Sequence, residues 1–308
     1  MLSLNTEILR DSYNSWGPSA RDCLRFAKNP KVIDRHEHDL FRAASELTKD
    51  ASHFTGFQVP SATHRIFVVR PSPDSREVAS VEFGTNRLRE IFLRAYARQD
   101  HAVRCSFYRT IREHSWFASP AGQIFKIHFL LWLQHYNGNL SCTYATANTP
   151  HLQIPYYESS PKFFYNAEEL KDITEPSGPI WLVPTSRTFP ILDAVVLTDN
   201  AVITVQITIA LKQDLNEQEF DLIYRNLPLD LLAKRPRRYH VFITDEEINA
   251  KSLQEQNHTQ VPIGTLVYSM VRGVGSLDSS APATEERVDA LEKARVSTYW
   301  LSAIWYLL

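Results

Sequence analysis

Residues 188–213, TFPILDAVVLTDNAVITVQITIALKQ, carry the pattern that decides the fold. Two runs rich in Val and Ile, residues 194–197 and 202–210, flank Thr198, Asp199, Asn200 and Ala201. β-Branched side chains favour strands, and Asp and Asn tolerate the left-handed backbone of a tight turn, so the stretch reads as a β-hairpin. With Asp199 and Asn200 as the turn residues, Thr198 pairs with Ala201 and Asp193 falls opposite Gln206. Side chains alternate across a strand. One face therefore carries Ala194, Val196, Ile203, Val205, Ile207 and Ile209; the other carries Asp193, Val195, Leu197, Val202, Thr204, Gln206 and Thr208. A slip of one residue would exchange the faces, so burial of the apolar face sets the register. The plain reading is an edge hairpin with one wet face; the pairing of Asp193 with Gln206 is the lead toward chemistry.

The rest of the chain supports an ordinary globular protein of one large or two modest domains: 308 residues, 44% hydrophobic and 22% charged. A net charge of −2 gives no global positive field, so any nucleic-acid site has to come from local clustering. Cys23, Cys105 and Cys142 are too few and too scattered for a disulfide framework. They fit a reducing, intracellular compartment, cytoplasmic or nuclear, and read as small buried hydrophobes. No secretory signal and no apolar run of about 20 residues is present, so no membrane is expected as a partner. The last ten residues, YWLSAIWYLL, are apolar enough to dock on the core or on a protein partner.

In chain order, residues 5–48 read as short amphipathic helices, with Ser19 as an N-cap and Asn29-Pro30 as a stop. Residues 64–70 and 78–83 read as strands and 85–99 as a helix bearing Arg87, Arg89, Arg94 and Arg98, which pair with acids such as Glu90. His36-Glu37-His38 reads as a solvated helix start, since i and i+2 do not share a helical face. Ser119-Pro120 opens a strong helix to about His135, with His128 and His135 on one side and no third metal ligand in view. Weak strands at 140–147 and 151–155, a strand at 180–183, the hairpin, a helix stopped by Pro228 and a strand at 239–244 follow. Residues 274–286 have linker composition, and 287–308 read as a closing helix.

The order helix, strands with the hairpin, helix, strand, with Asp193 opening one hairpin strand and Gln206 and Thr208 spaced by two on the next, resembles the PD-(D/E)xK restriction-endonuclease-like fold. The resemblance implies an α/β class (α+β mixed), with a helical N-terminal region before an α-β-β-β-α-β core on a central mixed sheet. It implies Asp193 and Gln206 as ligands of Mg²⁺ or Mn²⁺, which polarises a scissile phosphate. A Lys is expected where Thr208 stands, and Thr carries no cation. Lys212 is the candidate substitute if the strand ends near Ala210 and the chain turns back.

A narrower resemblance rests on Tyr13-Asn14-Ser15-Trp16-Gly17-Pro18-Ser19-Ala20-Arg21, on 64–71, on SPAGQIFKIH at 119–128, and on Pro184-Thr185-Ser186-Arg187-Thr188-Phe189-Pro190 before Asp193. These are similar to the C-terminal half of Crinkler/RHS-type proteins, which join a P-loop NTPase to a restriction-endonuclease-like domain. The resemblance implies that residues 1–100 correspond to the tail of an NTPase module, and that 101–273 are the nuclease-like domain. No GxxxxGKS or GxxxxGKT phosphate loop is present in the chain. DNA or RNA is the implied partner, gripped by Lys234, Arg235, Arg237 and Arg238. The expectation is a nuclease-like domain with metal-dependent phosphodiester hydrolysis weakened or lost. A non-catalytic interaction module on the same fold is the alternative.

Overall fold

The computed structural model describes residues 6–17, 19–49, 63–71, 79–133, 136, 138–144, 151–156, 161–184, 192–211, 215, 217–257 and 265–271. The linker at 274–286, the closing helix at 287–308, His135 and Lys212 lie outside the described residues. The chain divides into two units, one reaching to His128 and one beginning at Phe129. That division falls inside a helix, whereas the sequence places it near Asp100.

The first unit contains α1 (Thr6–Trp16), α2 (Ala20–Lys28) and α3 (Ile33–Lys49), then an antiparallel ribbon of β1 (Phe67–Pro71) and β2 (Ala79–Phe83). After these come α4 (Asn86–Ala97), α5 (His101–Arg112) and α6 (Ala118–Leu133), which runs past the division. Gly17 takes φ +88° after α1, a left-handed terminus that an L side chain would strain. Ser19 caps α2 as expected, its Oγ accepting the Asp22 N–H at 3.3 Å. Thr85 caps α4 in the same way at 3.2 Å and donates to the Ser15 carbonyl at 2.7 Å. Of the four arginines expected to pair with acids, Arg87 and Arg94 do so: Arg87 with Glu90 at 2.9 Å and Glu37 at 2.6 Å, and Arg94 with Glu37 at 3.3 Å, while Arg98 lies over the Phe41 ring. Glu37 is thus the anchor between α3 and α4, not part of a solvated helix start. α6 begins at Ala118, continuing a 3-10 turn over Ser115–Phe117, so Ser119 lies within its first turn and not at its cap.

The second unit is built on one eight-stranded mixed sheet. Its strands are β3 (Gly138–Tyr144), β4 (Leu152–Tyr156), β5 (Pro161–Phe164), β6 (Ile180–Pro184), β7 (Ala194–Leu197), β8 (Ala201–Ile207), β9 (Arg237–Thr244) and β10 (Thr265–Val271). Their spatial order is β4-β3-β10-β9-β8-β7-β6-β5. β6, β7 and β8 form an antiparallel meander; β9 lies parallel to β8, and β10 parallel to β9. The crossovers carry α7 (Glu217–Asn226), α8 (Leu229–Lys234) and α9 (Glu247–Asn257).

The hairpin has the register its turn dictates: Ala194 faces Val205 and Leu197 faces Val202. Its expected edge position is wrong, however. β7 and β8 occupy the middle of the sheet, and every residue of both is buried. The face read as wet packs against helices: Val195, Leu197 and Val202 share a core with Phe220, Ile223 and Tyr224 of α7, Leu227 just after it, Leu231 of α8 and Leu253 of α9. Two parallel crossovers put helices over that face, and such sheets are covered on both sides.

The sheet also curls. In a flat sheet, the six strand spacings from β4 to β6 would separate them by about 29 Å. Instead the Trp181 indole N–H of β6 donates to the Pro155 carbonyl of β4 at 3.0 Å, and the Trp181 and Tyr156 rings meet edge to face at 5.3 Å.

Candidate functional site

Asp193 enters the sheet just ahead of β7 and straddles Gln206. Its N–H donates to the Val205 carbonyl at 2.8 Å, and its carboxylate Oδ2 accepts the Ile207 N–H at 2.6 Å. The side chain thereby completes the hydrogen-bond ladder where strand pairing stops. Asp193 is 9% and Gln206 4% exposed. The Gln206 Oε1 is buried with no hydrogen-bond partner among the described residues, a cost of about 1–3 kcal/mol for an unmet acceptor. Regular pairing ends at Ala194 and Val205, so Asp193 reaches the main chain on either side of Gln206, at Val205 and Ile207.

Thr208 follows, its N–H bonded to the Ile243 carbonyl at 2.9 Å and its Oγ1 accepting the Ala210 N–H at 3.1 Å. β8 ends at Ile207, ahead of the expected Ala210. This rim is also where the parallel strands β8, β9 and β10 have their C-terminal ends, the side on which open α/β sheets bind ligands. Asp245 follows β9 there and accepts from Asn249 Nδ2 at 3.0 Å, while the same amide donates to the Ile209 carbonyl at 3.2 Å.

The basic run lies at the other end of the hairpin. Arg237 and Arg238 pair with Ala201 and Val202, while Gln206 pairs with Phe242. Four to five residues of strand, about 13–17 Å, separate the two ends. Arg235 is 3% exposed and fully committed: Nε to the Thr198 carbonyl at 2.6 Å, Nη1 to the Leu231 carbonyl at 3.2 Å and Nη2 to Glu175 at 2.8 Å. Lys234 also bonds Glu175, at 3.0 Å. These bonds, Arg235 first, hold the Glu175 carboxyl below its ordinary range. Arg238 stacks over the Tyr224 ring at 4.3 Å, and Arg237 is exposed. Arg235 thus fastens the hairpin turn to α8, and Arg237 is the member of the run most open to an anionic ligand.

Between the two ends, His240 is wholly buried with Nδ1 2.8 Å from Thr204 Oγ1, and burial pushes its pKa down to about 3. Thr204 gives its one hydrogen to the Tyr239 carbonyl at 3.2 Å, so Nδ1–H of His240 is the donor to Thr204. The polar residues of this face are therefore largely absorbed by the protein itself.

Hard divalent cations take six or more oxygens, several of them anionic. On this face, Asp193 supplies one carboxylate already shared with Ile207, and Gln206 one amide oxygen. Among the described residues, that donor set does not make a Mg²⁺ or Mn²⁺ site.

A scan of family models, a search of curated proteins and a search of solved structures each found no match. Among the described residues, no helix is long and apolar enough to cross a membrane.

One grouping escaped the sequence reading. The three cysteines are buried and in no disulfide, and Cys105 lies beside His101 and His128 in the first unit. Its available signal was the His101-x3-Cys105 spacing, which puts both side chains on one face of a helix.

Proposed function

We propose that the second unit, with α6 leading into it, is a nuclease-like domain of the restriction-endonuclease-like (PD-(D/E)xK) kind in a Crinkler/RHS-type setting, its phosphodiester hydrolysis weakened or lost. One observation carries this reading: an antiparallel meander β6-β7-β8, a helical crossover and a parallel β9 occur in that order, with Asp193 set just ahead of β7 and bonded to the main chain on either side of Gln206. Weakening follows from the donor set. Thr208 stands where a cation would orient the attacking water, and its hydroxyl oxygen is engaged in its own turn. DNA or RNA is the substrate class, or the ligand class where cleavage is lost. That same occupied hydroxyl favours the second reading, a non-catalytic nucleic-acid or protein interaction module.

The test is a cleavage assay on single- and double-stranded DNA and RNA with Mg²⁺ or Mn²⁺. Wild type is expected to cleave weakly or not at all, and the double variant Gln206→Glu, Thr208→Lys to gain metal-dependent cleavage that Asp193→Ala removes. Robust wild-type cleavage lost in Asp193→Ala would overturn the weakening. A correctly folded double variant that stays inert in every combination would overturn the nuclease-like assignment and leave the interaction module.

A further inference from the structure

His101 and Cys105 lie one helical turn apart on α5, with Cys105 Sγ 3.4 Å from His101 Nδ1 and 3.7 Å from Nε2. His128 approaches from α6, its ring centroid 5.3 Å from that of His101. One donor atom from each of the three lies within 4.8 Å of the other two. Cys105 and His128 are 4% and 1% exposed, and His101 is half-buried.

Tyr96 fixes the tautomer of His128. Its hydroxyl donates to the Arg104 carbonyl at 3.1 Å and also lies 3.1 Å from His128 Nδ1. A phenol has one hydrogen to give, so with that hydrogen on Arg104 it accepts from Nδ1–H, and the lone pair of His128 is on Nε2. Nε2 is buried and has no hydrogen-bond partner among the described residues. Burial raises the Tyr96 pKa, keeping the phenol protonated, and pushes His128 down to about 3, keeping the imidazole neutral.

A thiol–imidazole hydrogen bond accounts for His101 and Cys105 alone. It leaves the bare Nε2 of His128 unexplained, a loss of about 1–3 kcal/mol. An imidazole that gives its far N–H to a fixed acceptor and holds its other lone pair bare in a pocket with a thiol and a second imidazole is prepared as metal ligands are.

The geometry points to a Zn²⁺ site formed by His101, Cys105 and His128, with water as the fourth ligand. Nitrogen and sulfur donors select Zn²⁺ over Mg²⁺, Ca²⁺ or Mn²⁺. Zinc bonds of about 2.0–2.3 Å place tetrahedral ligand atoms roughly 3.3–3.8 Å apart. The His101–Cys105 separation already fits, and a His128 ring nitrogen lies within 4.8 Å of both donors. On binding, the Cys105 thiol loses its proton to solvent and the thiolate bonds the metal. The neighbouring Arg104 is half-buried, its guanidinium bonded to the Ala97 and Gln99 carbonyls.

Metal-stripped full-length protein is titrated with Zn²⁺ against a chromophoric chelator, and separately with Co²⁺ while the optical spectrum is recorded. The expected result is one metal per chain and a thiolate-to-Co²⁺ charge-transfer band. Cys105→Ser abolishes the band, His101→Ala loses tight binding, and Cys23→Ser and Cys142→Ser change neither. Tyr96→Phe keeps the stoichiometry and weakens affinity about 10- to 100-fold. His101 is half-buried, so its alanine variant is the one expected to fold normally, as circular dichroism checks. Absence of bound metal in the wild type, or unchanged affinity in folded His101→Ala and Cys105→Ser, overturns the site.

Discussion

The Asp193–Gln206 pair in the second unit and the His101–Cys105–His128 cluster in the first both set metal-capable side chains in apolar surroundings. They differ in what the main chain does to them. Where the β7–β8 ladder stops, the Ile207 N–H takes the Asp193 carboxylate. In the middle of a helix the main chain is already self-bonded, and the Cys105 thiol meets the imidazole of His101 one turn away. A strand end engages such donors with the main chain; a helix face brings them to one another.

Replacing the carboxylate tests this contrast most strongly. Asp193→Ala is expected to cost about 1.5–3 kcal/mol, the range for a charged hydrogen bond. Asp193→Asn, which keeps an acceptor for Ile207, is expected to recover most of it in denaturant melts. Equal losses in both variants would mean that negative charge, rather than ladder completion, is the role of Asp193.

His240 sharpens the comparison because it resembles His128 in burial and in an unpartnered Nε2 but has Phe220 and Phe242 as ring neighbours. It should answer to protons alone. With its folded pKa lowered to about 3, it contributes stability fully above the unfolded value of about 6.5 and loses it as pH falls. Between pH 6.5 and 5 the loss is about 1.6 kcal/mol. His240→Phe should flatten the stability–pH slope by one proton; an unchanged slope would show that His240 is not the group taking it up.

The smallest effect belongs to Gln206. Its amide oxygen is unmet, so Gln206→Met is expected to change stability by less than about 1 kcal/mol, in either direction. A larger loss would reveal a partner for that oxygen and remove its likeness to the bare His128 nitrogen.

The hairpin was legible because local chemistry determines it: Asp199 and Asn200 set the turn, and the register then runs from Leu197 opposite Val202 to Ala194 opposite Val205. Its surroundings were not, since a half-polar face does not say whether water or α7 covers it. α9 was unreadable for another reason. Its sequence EINAKSLQEQN buries Asn249, Gln254 and Asn257 by hydrogen bonding, as in Gln254 to the Thr143 carbonyl at 2.8 Å, rather than by an apolar stripe. The pairing of β10 with Thr143 and Tyr144 joins distant parts of the chain. Cys105 and His128 sit on separate helices whose approach no local pattern encodes.

The curl that brings Trp181 to Pro155 bears on how this unit meets other macromolecules. The outermost strands, β4 and β5, are short, and Pro155 and Pro161 each lack the N–H that a new neighbour would need. Among the described residues, strand addition, one way for an open sheet to recruit a peptide, is therefore disfavoured at both margins. What this sheet offers a docking molecule there is side chains, not a row of main-chain groups.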